Sequence, residues 1–268
     1  MRAVVLAGGR GTRLRRPSAA ARLTAAQAEA ADRGLKALVP IGGRPFLDYG
    51  LSRLADAGVA EIVVVVGPPS EPIREHYRAA PPARIRLSFA VQREPRGSAD
   101  AVLAAESLLS GGSEFLVANS DDVYPASALG GLVELGRSGL PVFSGATLLA
   151  HGNFPRERLA GFATLEIGED ADLRRIVEKP GDGGAAALDD AWYSMNLWRF
   201  SPAIFEACRR VPLSARGEKE LPQAVGFGIA ELGLSFRTFP CADGVLDLST
   251  RDDVEGLEVR LARETPRP

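Results

Sequence analysis

The stretch Val4-Val5-Leu6-Ala7-Gly8-Gly9-Arg10-Gly11-Thr12-Arg13-Leu14 determines the predicted fold of this chain. Its apolar, β-branched beginning predicts a buried strand. The glycines that follow allow the backbone to turn sharply and to approach a ligand closely. Exposed N–H groups in such a turn form an anion site, and the planar guanidinium of Arg13 suits phosphate.

Two better-known glycine motifs do not fit this stretch. The dinucleotide fingerprint needs G-x-G-x-x-G, whereas the glycines here stand at 8, 9 and 11 and position 13 is arginine. The P-loop needs Gly-Lys followed by serine or threonine, and no such sequence follows. An ordinary turn between a strand and a helix is the remaining alternative, so the function depends on residues further along the chain.

Composition limits the classes of protein to consider. The chain has 268 residues, a net charge of −2, 46% hydrophobic residues and 25% charged residues, as in ordinary globular proteins. This charge predicts no nucleic-acid partner. No apolar run reaches the roughly 18 residues of a membrane helix, and the first apolar run is too short for a signal peptide. We therefore expect a cytoplasmic protein without a membrane partner.

Cysteine and histidine are too few for the common metal and nucleophile sites. The chain has Cys208, Cys241, His76 and His151, and they show no zinc-ligand spacing. We expect both cysteines to be free core thiols. A metal, if the protein binds one, should be a hard cation on carboxylates.

The first half of the chain alternates between strands and helices. Helices are predicted at 44–58, 70–77 and 97–109, and strands at 61–67, 85–91 and 114–118. This alternation through residue 140 is typical of an α/β fold with a doubly wound, mostly parallel sheet.

Beyond Pro141 the pattern becomes richer in strands. Strands are predicted at 141–149, 161–167, 173–178, 192–200 and 234–239, and helices at 202–210, at 219–231 and from Thr250. No internal repeat or separating linker is present, so this half should extend the same sheet with a smaller β-rich region. The tail from Thr265 is expected to fray.

Residues 17–34 form an alanine-rich insertion that interrupts the alternation of strands and helices. Thr24 and Gln27 form a capping box, and Gly34 is a suitable helix stop. We therefore predict a short helix, and its lack of large apolar side chains predicts weak packing. Because the insertion lies between Arg13 and Lys36, it is predicted to be a mobile lid; the alternative is a static surface helix or an oligomer contact.

Three groups follow predicted strands, and a fourth lies near the C-terminus. They are the glycine loop, Gln92, Asp121 and Asp247. Ligands of open α/β sheets bind at the carboxyl ends of the strands. Two carboxylates with Arg13, Lys36 and a glycine cradle suit Mg²⁺-assisted chemistry at phosphate.

The order of these segments resembles that of the sugar-1-phosphate nucleotidylyltransferases, the glucose-1-phosphate thymidylyltransferase and mannose-1-phosphate guanylyltransferase group. The resemblance runs from Met1 to about Asp253. It rests on six segments: Leu6 to Leu14, Lys36-Ala37-Leu38-Val39-Pro40-Ile41, Gln92 to Ala99, Asn119-Ser120-Asp121-Asp122, Val177-Glu178-Lys179-Pro180 and Gly244 to Thr250.

The resemblance implies a Rossmann-like nucleotidyltransferase fold, a mixed and mostly parallel sheet flanked by helices with a small β-rich sugar-binding region. It implies one domain over 1–268. The nucleotide-binding half is 1–140, the sugar-binding half is 141–253, and the C-terminal helix and tail are 254–268. The implied reaction transfers a nucleoside monophosphate from a nucleoside triphosphate to a sugar 1-phosphate and releases pyrophosphate.

The resemblance also implies a role for individual residues. The nucleotide-binding residues are Leu6, Ala7, Gly8, Gly9, Gly11, Thr12, Gln92, Gly97 and Ser98. The sugar-binding residues are Asn119, Gly161, Glu178, Lys179 and Asn196. Arg13 and Lys36 are catalytic, and Asp121 and Asp247 hold Mg²⁺, with Asp122 as the rival of Asp121. The ordinary alternatives are surface cations, a surface glutamine and an Asx turn.

Several positions depart from the family pattern. Lys36 follows Leu35 where proline is usual, Asn196 stands where many relatives have glycine, and Val245 replaces an aromatic residue before Asp247.

Two other functions stay open: a cytidylyltransferase that acts on a phosphorylated alcohol such as phosphocholine, and a non-catalytic nucleotide-sugar sensor. The amide of Gln92 offers a donor and an acceptor to an imide base, which predicts a preference for uridine or thymidine triphosphate.

Overall fold

A computed structural model of the chain describes residues 1–68, 71–109, 111–177 and 185–268, apart from the side chains of 185–187. The strands in these ranges are β1 Arg2–Ala7, β2 Pro40–Ile41, β3 Arg44–Pro45, β4 Glu61–Val66, β5 Arg86–Val91, β6 Phe115–Asn119, β7 Asp122–Val123, β8 Gly139–Ser144, β9 Thr164–Ile167, β10 Leu173–Val177, β11 Trp192–Tyr193, β12 Trp198–Phe200, β13 Arg237–Pro240 and β14 Leu246–Asp247.

Helices cover the sheet and connect its strands. The α-helices in the same ranges are α1 Ala25–Asp32, α2 Phe46–Asp56, α3 Glu71–Ala79, α4 Ser98–Ala104, α5 Ala126–Glu134, α6 Gly145–His151, α7 Arg156–Leu159, α8 Ala185–Asp190, α9 Ile204–Arg210, α10 Leu221–Leu232 and α11 Asp253–Leu261. Short 3-10 helices lie at Lys36–Leu38 and Glu106–Leu109.

One sheet of ten strands organises the described part of the chain. Its order is β10-β9-β11-β8-β12-β6-β1-β4-β5, with β13 paired to β8. β6, β1, β4 and β5 run parallel, and β12 joins them antiparallel at β6. The prediction of a mixed central sheet flanked by helices is confirmed, and the glycine loop follows its central parallel strand.

The apolar runs of the central strands are buried on both faces, as in parallel sheets generally. In β1, Val5 packs into a cluster with α2, α3 and α5, whereas Val4 packs into a second cluster with α4, α9 and α10. Successive side chains of a strand point to opposite faces.

Three predicted elements differ in the structure. The predicted strand 141–149 ends at Ser144, whose side chain caps α6 by accepting from the N–H of Thr147 at 3.1 Å. A short apolar run does not by itself distinguish a strand from a helix. The predicted helix 97–109 divides into α4 and a 3-10 helix, and the predicted strand 192–200 divides at Asn196, which has a φ of 53°.

The expectation of a frayed tail is wrong. Pro266 is buried, and the carbonyl of Pro268 accepts from the backbone N–H groups of Ala83 and Arg84 at 3.0 and 3.2 Å. The N–H of Arg267 donates to the hydroxyl of Ser52 at 3.0 Å. Backbone and side-chain hydrogen bonds to α2 and to the loop before β5 therefore hold the tail in place.

The insertion forms the predicted helix α1, and its capping box between Thr24 and Gln27 is present. As the lack of large apolar side chains predicts, α1 buries only two of its residues, Gln27 and Ala31, but specific contacts anchor both. Ala31 is fully buried in a third apolar cluster with Leu14 and Leu257, and the amide of Gln27 donates to Glu258 of α11 at 2.8 Å. Small apolar residues are enough here because α11 lies against the helix. These contacts favour the static helix over the mobile lid, which stays untested.

Candidate active site

The glycine loop after β1 touches the end of the α1 insertion. Gly11 and Gly34 both have positive φ, 60° and 71°. A side-chain carbon on Gly11 would lie 2.3 Å from the carbonyl oxygen of Gly34. Only glycine fits both positions, since positive φ and this close approach exclude other side chains. The contact brings the segment that begins at Lys36 next to the loop.

Lys36 and Asp121 form an ion pair at the edge of the sheet where the parallel strands have their carboxyl ends. Asp121 follows β6, and Lys36 Nζ lies 2.8 Å from its Oδ2. Burial alone would lower the pKa of Lys36, but the charges of Asp121 and Asp247 outweigh it and raise the pKa above its ordinary value. Lys36 is therefore a cation over the whole neutral range.

A second carboxylate reaches this edge from the C-terminal part of the chain. β14 pairs with β7, which places Asp247 opposite Asp122, and the N–H of Leu248 donates to the carbonyl of Asp121 at 2.9 Å. Burial raises the pKa of Asp247 to about 6, and repulsion from Asp121 adds to the increase. The structure thus holds two repelling carboxylates beside Lys36.

Arg158 of α7 fixes the carboxylate of Asp247 from the other side. Its Nη1 donates to Asp247 Oδ1 at 2.8 Å, and its Nη2 donates to Asp253 Oδ1 at 2.9 Å. The side chain of Asn153 brackets the backbone of Asp247 with two bonds of 2.7 Å. Asn153 and Arg158 therefore support Asp247 from a distant part of the chain, although no sequence motif pointed to Arg158.

Asp122 faces the interior of the protein. Its Oδ2 accepts from Asn119 Nδ2 at 3.0 Å and from the hydroxyl of Tyr124 at 3.1 Å. Burial and the neighbouring charges raise its pKa well above the ordinary range, which favours the neutral acid. Its Oδ1 has no hydrogen-bond partner among the described residues. Asp121 is thus the better placed of the two rivals to meet a ligand.

Two cavities open at the carboxyl ends of the parallel strands. The smaller cavity, 280 Å³, is lined by Leu6, Ala7, Gly9, Gly11, Thr12, Arg13, Gly34, Leu35, Lys36, Ala37, Ile73, Ser120 and Asp121. The larger cavity, 690 Å³, is lined by Leu6, Gly8, Gly9, Arg10, Thr12, Gln92, Pro95, Gly97, Ser98, Ala101, Asn119, Asp121, Arg216, Gly217 and Glu218. The glycine loop and Asp121 lie between them and contribute to both.

Gln92 is held within the wall of the larger cavity. Its Nε2 donates to the carbonyl of Gly97 and to Asp100 Oδ2, each at 2.9 Å. Gly97 has a φ of 106°, and a side-chain carbon there would lie 2.3 Å from the carbonyl oxygen of Lys219. The expectation that Gln92 offers both a donor and an acceptor to a ligand is therefore wrong, since the protein already uses the donor.

Residues 2–226 match the nucleotidyl transferase family. The chain is 30% identical to a UTP–glucose-1-phosphate uridylyltransferase of Haloferax volcanii over 99% of this chain and 98% of that protein. The chain belongs to the nucleotidyl transferase family. The enzyme class that the six segments predicted is confirmed.

A second relative and one solved structure are also similar to this nucleotidyl transferase. A glucose-1-phosphate thymidylyltransferase of Streptomyces antibioticus is 30% identical over 84% of this chain, which spans 56% of that protein. The solved structure of a UDP-glucose pyrophosphorylase complexed with UDP-glucose has a TM-score of 0.75, 15% identity and coverage of 98% and 99% of the two chains. At that identity the structure shows the fold alone, and it confirms the predicted Rossmann-like nucleotidyltransferase fold.

In this nucleotidyl transferase, the two cavities bring together most of the predicted site residues. They line one or both cavities: Leu6, Ala7, Gly8, Gly9, Gly11, Thr12, Arg13, Lys36, Gln92, Gly97, Ser98, Asn119 and Asp121. Arg13 is exposed, and its guanidinium makes no ion pair within the described part of the chain. The predicted meeting of these groups at one edge of the sheet is what the structure shows.

Three other predicted residues within the described ranges, Asp247, Gly161 and Asn196, line neither of these two cavities. Asn196 lies between β11 and β12, and its Oδ1 is buried without a partner among the described residues. Gly161 follows α7, with its N–H donating to the carbonyl of Arg158 at 3.0 Å. Glu178 and Lys179 fall outside the described residues, so the structure says nothing about their predicted contacts.

The structure adds residues that the motifs did not indicate. Arg216, Gly217 and Glu218 line the larger cavity, and Asp100 holds Gln92. Arg216 is ion-paired to Glu220. The Arg-Gly-Glu turn before α10 was the only available signal, and a turn between helices does not by itself indicate a cavity.

Asp121 and Asp247 form the donor set that could hold a metal. No cluster of three or more histidine, cysteine, aspartate or glutamate ligands occurs in the ranges that the structure describes. Mg²⁺ commonly takes one or two carboxylates and completes its shell with water and substrate phosphates. Two hard, mutually repelling carboxylates fit such a cation. Within the same ranges, no helix is both long and apolar enough to cross a membrane.

Proposed function

We propose that the protein transfers a nucleoside monophosphate from a nucleoside triphosphate to a sugar 1-phosphate, yielding a nucleotide-sugar and pyrophosphate. The observation that carries this proposal is the Lys36–Asp121 pair, since Asp121 lies where the two cavities meet. Two relatives with 30% identity are named a UTP–glucose-1-phosphate uridylyltransferase and a glucose-1-phosphate thymidylyltransferase, which supports the substrate class.

The glycine loop and Arg13 bind the triphosphate in this proposal. N–H groups of the loop at Gly8, Gly9 and Gly11 face an anion at the edge of the sheet. Arg13 extends into the smaller cavity and compensates the charge of the departing pyrophosphate. The nucleoside occupies the larger cavity beside Gln92 and Gly97.

Lys36 brings two anions together. An oxygen of the sugar phosphate, already ionised at neutral pH, attacks the α-phosphorus in line. The new O–P bond forms as the bond from the α-phosphorus to the bridging oxygen of pyrophosphate breaks. The lysine charge between the two phosphates lowers their repulsion, so catalysis depends on position and charge and needs no general base.

Asp121 and Asp247 would hold Mg²⁺ next to Lys36. When bound, the cation neutralises phosphate charge and orients the oxygens of the triphosphate. Arg158 and Ser249 keep Asp247 oriented toward this position through bonds of 2.8 and 3.2 Å.

The sugar is proposed to contact Asn119, Gly161, Glu178, Lys179 and Asn196. The unpartnered buried oxygen of Asn196 and its position after β11 support a hydroxyl contact there. Glu178 and Lys179 enter this proposal from the sequence alone. A cytoplasmic location also stays a prediction, which cell fractionation tests.

A pyrophosphate-release screen tests the proposed function. It crosses ATP, CTP, GTP, TTP and UTP with a panel of sugar 1-phosphates and phosphocholine in the presence of Mg²⁺. The expected result is release with a sugar 1-phosphate and with UTP or TTP. Turnover only with CTP and phosphocholine would replace the proposal by the cytidylyltransferase, and no turnover with any pair would leave the sensor.

A further inference from the structure

The amide of Gln92 has a fixed orientation. Gln92 follows β5 and is 7% exposed. Its Nε2 donates at 2.9 Å to a backbone carbonyl, that of Gly97, and at 2.9 Å to a carboxylate, that of Asp100. Both partners are acceptors, so the amide NH₂ must face them, because the reversed orientation would set oxygen against oxygen.

The other end of the amide faces the cavity. Its Oε1 is on the side of the glycine loop, 3.3 Å from the position that a side-chain carbon on Gly8 would take. Gly8 and Gln92 both line the larger cavity. The side chain of Gln92 therefore presents an acceptor there and no donor.

We propose that Asp100 is a specificity-determining positioning residue. Because Asp100 holds Nε2, only Oε1 of Gln92 is available to the base, and it can only accept a hydrogen bond. This selects a base that has a hydrogen on its ring nitrogen, such as N3 of uracil or thymine. Cytosine and adenine have no hydrogen on that nitrogen and leave the oxygen of Gln92 without a partner in the complex. The inference depends on the proposed function only in placing the nucleotide base in the larger cavity.

Asp100 is the partner that substitution can remove. The Gly97 carbonyl is held by the backbone, since Ala99 N–H donates to the carbonyl of Lys219 at 2.9 Å and Lys219 N–H donates to that of Arg96 at 2.7 Å. Asp100, in the first turn of α4, is the only side chain among the described residues that bonds Nε2. Its loss leaves one of the two amide hydrogens without a partner and frees the side chain to turn.

Two matched variants separate this role from a structural one. Asp100→Leu has a similar shape but no acceptor. Asp100→Asn keeps an acceptor, because its own amide oxygen can face Nε2. Each variant is first compared with the wild type by its melting temperature.

Equilibrium binding of UTP, CTP and 3-methyl-UTP, measured by calorimetry with Mg²⁺, tests the inference. The wild type and Asp100→Asn are expected to bind UTP at least about tenfold more tightly than CTP and 3-methyl-UTP, the size of one hydrogen bond. Asp100→Leu is expected to bind the three within about twofold of one another.

Equal weakening of all three ligands in Asp100→Leu, or an unchanged ratio, would overturn the inference. A wild type that binds UTP and 3-methyl-UTP equally would overturn it without any variant. Binding is measured apart from turnover, so a wild type with the expected ratio that releases no pyrophosphate would refute the proposed function and leave this inference standing.

Discussion

The two cavities share one wall but differ in the kind of group that they offer a ligand. The smaller cavity has two cations, Arg13 and Lys36, beside the carboxylate of Asp121. The larger cavity has a buried amide, that of Gln92, and backbone at Gly97. The larger cavity is also lined by the charged residues Arg10, Arg216 and Glu218, so what distinguishes it is the neutral amide of Gln92, held in a fixed orientation.

This difference separates rate from selectivity. A charge acts over several ångströms and on any phosphate, so in the proposed reaction the groups of the smaller cavity stabilise the transition state whatever the base is. A neutral hydrogen bond depends on direction, so the larger cavity needs the rigid support that Gly97 and Asp100 give to Gln92. The comparison predicts that substitutions in one cavity change kcat and that those in the other change the choice of nucleotide.

Asp121→Asn should have the largest effect. It removes the charge that holds Lys36 and that would bind Mg²⁺, so turnover should be abolished while the fold is kept. Asp122→Asn is the matched control, because that neighbouring carboxyl is buried against Asn119 and Tyr124. Pyrophosphate release at saturating Mg²⁺ is the measurement, and near-wild-type activity in Asp121→Asn would contradict the assignment.

Lys36→Ala should lower kcat by at least ~100-fold, the usual scale for one lost electrostatic contact in a transition state. Lys219→Ala provides a control, because Lys219 lines neither cavity. Its Nζ donates to the backbone carbonyl of Cys208 at 3.4 Å. Steady-state kinetics with the triphosphate distinguish the outcomes. If only KM changes, Lys36 is a binding residue.

Gln92→Met should reduce kcat/KM for UTP by about tenfold, because one hydrogen bond to the base is lost. kcat at saturating UTP should stay within a few-fold of the wild type, since Arg13, Lys36 and Asp121 in the smaller cavity are unchanged. Steady-state kinetics with UTP and TTP provide the measurement. A fall in kcat as large as that of Lys36→Ala would break the distinction between the cavities.

The smallest effect is expected in α1. Asp32 is ion-paired to Arg251, and the hydroxyl of Ser18 donates to Asp252 Oδ1 at 2.6 Å, so contacts with the start of α11 hold the insertion at both ends. Hydrogen exchange of 17–34 should therefore be the same with and without UTP and Mg²⁺. Added protection with ligand would restore the predicted lid.

The groups at the carboxyl edge of the sheet could be predicted from the sequence because glycines or polar residues directly follow each apolar run. The apolar runs of β1 and β4 required burial on both faces, and the polar residues after β1, β5 and β6 had to meet at one edge. The six ordered segments then made the family identifiable. This part of the site needed no knowledge of side-chain contacts.

The supporting contacts could not be predicted in the same way. Asp100 looks like an ordinary acidic residue in the first turn of a helix, and Arg158 is one of many arginines. Their roles come from partners eight and 89 positions away, Gln92 and Asp247, which only the fold brings close. The packing of α1 likewise depends on α11 at the other end of the chain.

Whether the smaller cavity sets the rate and the larger cavity sets the choice of nucleotide is tested most directly by kcat/KM. It is measured with UTP and with CTP in the wild type, Lys36→Ala and Gln92→Met. Lys36→Ala is expected to lower both values by the same factor and to leave their ratio unchanged. Gln92→Met should lower the UTP value alone and bring the ratio toward one. A changed ratio in Lys36→Ala, or an unchanged ratio in Gln92→Met, would contradict the account.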